Sequence, residues 1–170
     1  MLQTDEKIVS ILLKEKVEKN NPLLQHFKIS YPNNTIAQES NTIFIGLADY
    51  ESGNNGFDFD EGTDLVDILV VTKKRPNKMG KKTDKEIYDE SKHIIKVVML
   101  EIRRILRLEE NIAILGNTPR FRNITPEYNR NYVINRGHMM LQLKVIDEFD
   151  DYGEEFDRIC NILLDDIIEE

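Results

Sequence analysis

The sequence predicts an α+β domain: a mainly antiparallel sheet crossed by one long helix, with a short N-terminal helix and an acidic C-terminal helix. Three patterns carry this prediction. Leu65 to Thr72 is apolar on both strand faces. Thr83 to Arg107 repeats its apolar residues at helical spacing behind a capping box, and Met139 to Ile146 alternates with period two.

In chain order, Thr4 to Lys19 reads as a first helix, with Val9, Leu13 and Val17 four apart and Ile8, Ile11 and Leu12 widening the stripe. Asn20-Asn21-Pro22 ends it, because proline cannot donate to a helical hydrogen bond. Tyr31-Pro32-Asn33-Asn34 is a turn. Thr42 to Tyr50 reads as a strand, and Glu51 to Gly62, rich in Gly, Asn and Asp, as an exposed loop. The doubly apolar strand Leu65 to Thr72 belongs in the centre of the sheet, with Asp67 its one charge. Lys73 to Lys82 is a basic loop.

Thr83-Asp84-Lys85-Glu86 opens the long helix, whose stripe Ile87, Ile94, Ile95, Val98, Ile102, Ile105 and Leu106 predicts a rod of about 35 Å at 1.5 Å per residue. Asn111 to Leu115 reads as a short strand and Gly116 to Pro119 as a turn. Tyr132 to Asn135 and His138 to Ile146 read as a hairpin around Arg136-Gly137. A last helix, about Glu154 to Ile168, carries the stripe Phe156, Ile159, Cys160, Leu163, Leu164 and Ile167. The element order is therefore α-β-β-α-β-β-β-α. Neither a repeat nor a linker interrupts it, so residues 1–170 read as one domain, with 147–170 its acidic helical segment.

Composition narrows the function classes. A single cysteine, Cys160, excludes an internal disulfide and a multi-cysteine zinc site, and its place on an apolar stripe reads as a small core hydrophobe. No basic-plus-apolar leader opens the sequence, and no apolar run approaches the roughly 20 residues that span a bilayer. Export and membrane contact are not expected. The net charge of −8 is uneven: residues 147–170 hold eleven acids and one base, and the rest of the chain is close to neutral. Such a tail repels nucleic acid and suits a solvated face or a basic protein partner.

Asp58, Asp60, Asp64 and Asp67, near Gly53 and Gly56, resemble the start of a small nucleotidyltransferase site, where two carboxylates two apart on one strand share magnesium. The spacing does not serve that chemistry. Asp64 and Asp67 are three apart and so face opposite ways on an extended strand. Asp58-x-Asp60 falls among loop residues, and the Gly-Ser turn of that family is absent, since Leu47 follows Gly46. A calcium loop built from Asn54, Asn55, Asp58, Asp60 and Glu61 lacks the EF-hand order and its bidentate twelfth-position glutamate. His26, His93 and His138 are scattered, and nucleophile elbows and phosphate-binding glycine loops are missing. The expectation is a non-enzyme without a cofactor or metal. The basic loop together with Arg103, Arg104 and Arg107 lacks interleaved aromatics, so direct nucleic-acid contact is not expected; the acidic tail of a neighbouring copy is the expected partner.

The segments Ile8 to Val17, Ile43 to Leu47, Leu65 to Val71, Thr83 to Arg107 and Met139 to Val145 occur in an order that resembles the tail terminator and tail-completion (head–tail joining) proteins of long-tailed phages. The resemblance covers roughly residues 4 to 147 and is one of element order. It implies a virion protein, assembled in the host cytoplasm, that forms a ring, commonly a hexamer, and joins tail-tube or neck proteins. The partner-binding residues it implies are Asp58, Asp60 and Asp67, with Lys73, Lys74, Arg75, Lys78, Lys81 and Lys82. A divergent magnesium-dependent nucleotidyltransferase and an acidic interaction module are the alternative readings.

Overall fold

Strand β3 (Phe59–Val71) runs down the middle of a five-stranded mixed sheet ordered β1-β2-β3-β5-β4, as its doubly apolar sequence requires. The computed structural model describes residues 3–32, 41–55, 59–73, 78–124, 136–148 and 152–168. The other strands are β1 (Lys28–Ser30), β2 (Thr42–Asn55), β4 (Arg120–Ile124) and β5 (Arg136–Glu148). β1 pairs with β2 in parallel; the remaining three pairings are antiparallel. Helices α1 (Thr4–Val17) and α2 (Asp84–Leu106) pack on one sheet face, α3 (Glu109–Leu115) follows at once, and α4 (Tyr152–Ile168) ends the fold. The architecture is α+β, as predicted.

The core lies between those two helices and the sheet. Ile43 and Ile45 of β2, Val66, Ile68 and Val70 of β3, and Met139, Leu141 and Leu143 of β5 meet Ile8, Ile11 and Leu12 of α1 and Ile95, Val98, Ile102, Ile105 and Leu106 of α2. A fully buried side chain of this size contributes roughly 1.5–3 kcal/mol. On α1 the buried positions are Thr4, Ile8, Val9, Ile11, Leu12 and Glu15, while Leu13 and Val17 are exposed. The every-fourth-residue reading thus caught the edge of the stripe. On α2 the prediction and the buried residues agree closely.

Four readings need correction. Glu51 to Gly62 is not a loop: β2 continues to Asn55, and Glu51, Ser52 and Asn55 pair with Thr63, Gly62 and Asp60. Phe59 to Glu61 also pair with Glu148, Asp147 and Ile146 of β5, so ladder bonds on two sides override a composition poor in strand formers. Asn111 to Leu115 is the body of α3, because Gly116 (φ 83°) supplies a left-handed cap and Asn111 is buried with its amide donating to Ile105 O at 2.8 Å. Arg136-Gly137 is not a turn, since both residues pair with β3 at Val71 and Val70. Tyr132 to Asn135 lie outside the described residues. Finally, Cys160 is only half-buried, and Phe156, Ile159, Leu163 and Leu164 beside it are exposed, so the α4 stripe is not core. Strands β1 and β4, five residues or fewer, are too short to show a strand period in the sequence.

Local chemistry fixes the helix ends. Thr83 Oγ1 accepts from Glu86 N at 3.3 Å and Glu86 Oε2 accepts from Thr83 N at 2.8 Å, the reciprocal capping box foreseen in the sequence. Thr83→Ala is expected to cost about 1 kcal/mol, read as a lower urea midpoint at unchanged slope. Past α1, Asn20 takes a left-handed turn (φ 50°), and Asn21 is buried. The Asn21 side chain accepts from Leu23 N and Leu24 N and donates to Glu101 Oε1 at 2.9 Å, tying this turn to α2.

Glu101 also receives two hydrogen bonds from Arg104, at 2.6 and 3.0 Å. The Arg104 guanidinium foremost, then Asn21, holds this carboxyl below the usual glutamate range against an opposing effect of burial. A depressed folded-state pKa gives stability that is present above the unfolded value and lost as pH falls through the folded one. Glu101→Gln should therefore cost about 0.5–1 kcal/mol at neutral pH, with the difference from wild type closing under acid. Chemical denaturation at several pH values reads this directly; a gap that widened toward acid would contradict it.

Candidate functional site

The segments expected to bind partners leave opposite ends of β3. Asp58, Lys74 and Arg75 lie outside the described residues. Asp60 is placed by its backbone, opposite Asn55 and Asp147, at the far end of the β2–β3 hairpin. Lys73 and Lys81 are exposed where the chain leaves β3 for α2, and Lys78 opens a single 3-10 turn to Gly80. Lys82 is paired with Glu90 of α2. Met79, in that turn, is left-handed (φ 62°) and 87% exposed.

The carboxylates of β3 diverge. Asp64 pairs in register with Leu143, on the helix-covered face, and accepts a hydrogen bond from Thr4 Oγ1, which fastens the start of α1 to the sheet. Asp67 pairs with Gly46 and Met140 on the other face. Its Oδ1 is shielded and sits 3.0 Å from His138 Nε2, an ion-pair distance without hydrogen-bond alignment. The two acids that a shared cation would require are thus separated by the sheet itself. Among the described residues, no three His, Cys, Asp or Glu side chains gather where they could hold a metal ion. No described helix is long and apolar enough to cross a membrane.

A basic edge is brought together that sequence order conceals. Arg103 and Arg107, one turn apart at the end of α2, stack over the Phe121 ring at 5.5 and 5.0 Å from its centroid. Phe121 belongs to the edge strand β4, where Arg120 and Arg122 flank it and are exposed. Each such stack contributes about 0.5–1 kcal/mol at an exposed site and fixes a guanidinium in place. Among the described residues no strand pairs with the outer side of β4, and two charged residues guard it in the way edge strands avoid unwanted pairing. Arg-Phe-Arg at 120–122, alternating about an aromatic, was the available signal; it went unread because three residues are too few to show a strand period.

The second feature is α4. Phe156, Ile159, Leu163 and Leu164 are 69, 44, 57 and 56% exposed, and among the described residues α4 makes no contact with another element as extensive as those of α1 and α2 with the sheet. An amphipathic helix in water gains nothing from its apolar stripe until a partner covers it. Its acids, including exposed Asp157, complement the basic edge and the basic segment before α2 in sign. No protein-family model matches the chain, and no characterised protein is similar enough to count as a relative.

Proposed function

We propose that this chain is a non-enzymatic virion structural protein of the tail-terminator or head–tail connector type, acting as a homo-oligomeric ring at the junction of tail and neck. The observation that carries the reading is the open apolar stripe of α4 on a helix whose charge is opposite to that of exposed surfaces elsewhere on the same chain. A self-complementary pair of surfaces on one subunit drives association between copies. The α+β order with a long helix across the sheet supports the same reading through its resemblance to the tail-completion proteins. The separation of Asp64 from Asp67 weighs against the nucleotidyltransferase alternative, which needs converging carboxylates.

Light scattering coupled to size exclusion tests this. The expected result is a closed ring, with a mass near six times the 19.9 kDa of one chain for a hexamer. A monomer at micromolar concentration overturns the proposal. Stabilisation of that monomer by magnesium with ATP would favour the nucleotidyltransferase instead.

A further inference from the structure

A hollow of about 420 Å³ forms where β4 stops pairing. β4 follows β5 only as far as Arg120 opposite Gln142. Two residues beyond, Lys144 has Thr63 of β3 on one side and no β4 neighbour on the other. The turn at Asn117 to Pro119 crosses this gap, and Arg107 from the end of α2 closes it. Arg107, Arg120 and Lys144 thus line one space with the neutral hydrogen-bonding groups of Thr63, Thr118 and Gln142. No acid lines it. Among the described residues none of the three cations has an ion-pair partner; Arg107 has only its stack on Phe121. The register places acids of β2 and β3 on the same sheet face outside the lining, among them Glu51 in the same row on the far side of Thr63, Glu61 one row further out, and Asp67 two rows back.

Three cations gathered with no acid among the described lining residues repel one another, and an anion in the hollow reverses the sign of that interaction. The donors also select the kind of anion. Guanidinium forks match phosphate oxygens two at a time, lysine adds a point charge, and hydroxyl and amide groups fill the remaining oxygens. Stacking on Phe121 holds one fork in position before any ligand arrives, which lowers the ordering cost of binding. The space exceeds what one phosphate needs, so a ligand with linked phosphates, or a phosphate bearing a further group, fits it better.

We infer that this hollow binds phosphate groups through Arg107, Arg120 and Lys144, supplied either by a small polyphosphate or by the backbone of a single-stranded nucleic acid. The test is calorimetric titration of the full chain at low salt with tripolyphosphate and, separately, with a thymidine oligonucleotide. It compares wild type, Arg120→Gln/Lys144→Gln and, as an equal loss of charge elsewhere, Lys85→Gln/Lys96→Gln. Saturable binding of a probe by wild type is expected, weakened at least about tenfold in the first variant and within about twofold in the second. For the oligonucleotide, log K against log salt should fall with a slope of about −2, as three phosphate contacts on a single strand require. Binding of only one probe, lost in the first variant, supports the inference and names the source. Binding of neither probe, or binding that survives the first variant, overturns it. The readout needs no ring, so its failure is separate from failure of the assembly proposal.

Discussion

Gly137→Val is expected to destabilise the protein by about 3 kcal/mol, the upper end of what overpacking a core costs. A β-carbon at this position would lie 2.2 Å from Ile95 Cγ2 and 3.3 Å from Met99 Sδ, because α2 descends onto β5 there. Ile95 is buried and belongs to the central cluster, so it has no free volume into which it can turn. Intrinsic preference points the other way: glycine weakens a strand interior, and valine is among the best strand formers, a difference of about 1 kcal/mol. The substitution therefore sets close packing against propensity, and packing wins by magnitude. The measurement is the urea midpoint, with the slope unchanged. A variant as stable as wild type would mean that α2 does not approach β5 this closely.

The same glycine shows where sequence reasoning stopped. Gly137 beside Arg136 reads as a turn, because in one dimension a glycine is most often a bend. In the fold it is the gap in a strand that admits a helix. Such a role depends on Ile95, forty-two positions earlier, and no local pattern reports it. What was legible followed from periodicity confined to one element: the capping box at Thr83, the α2 stripe, the two apolar faces of β3 and the alternation of β5. Glu51 to Gly62 was misread because a partner distant in sequence, β5, decides it, and Asn111 to Leu115 because the left-handed cap at Gly116 and the buried Asn111 bond to Ile105 set the conformation of a short apolar run. Of the candidate site, the charges were visible but not their grouping. Arg107, Arg120 and Lys144 come from three elements, and only the end of β4 brings them to one place.

Phe156→Glu together with Leu163→Glu is expected to reduce the assembled protein to monomer while leaving the fold of each chain intact. Both side chains are more than half exposed in the single chain, so their replacement removes little intrachain packing, and the thermal midpoint of the monomer should move by no more than about 0.5 kcal/mol in stability. They lie seven residues apart on one face of α4 with Ile159 and Cys160 between them, the spacing of a continuous helical seam. Burying the exposed portion of two such side chains in an interface contributes about 3 kcal/mol, and every 1.4 kcal/mol is tenfold in affinity, so association should weaken by at least about 100-fold. The glutamates also add charge to an arm that is already acidic, which raises the cost of closing it against any apolar surface. Scattering mass and thermal midpoint measured on the same samples separate the outcomes. A ring that persists would show that α4 is not the arm that joins copies. A monomer that has also lost several kcal/mol of stability would show that the stripe serves the packing of its own chain, and the case for assembly would then lose the observation on which it stands.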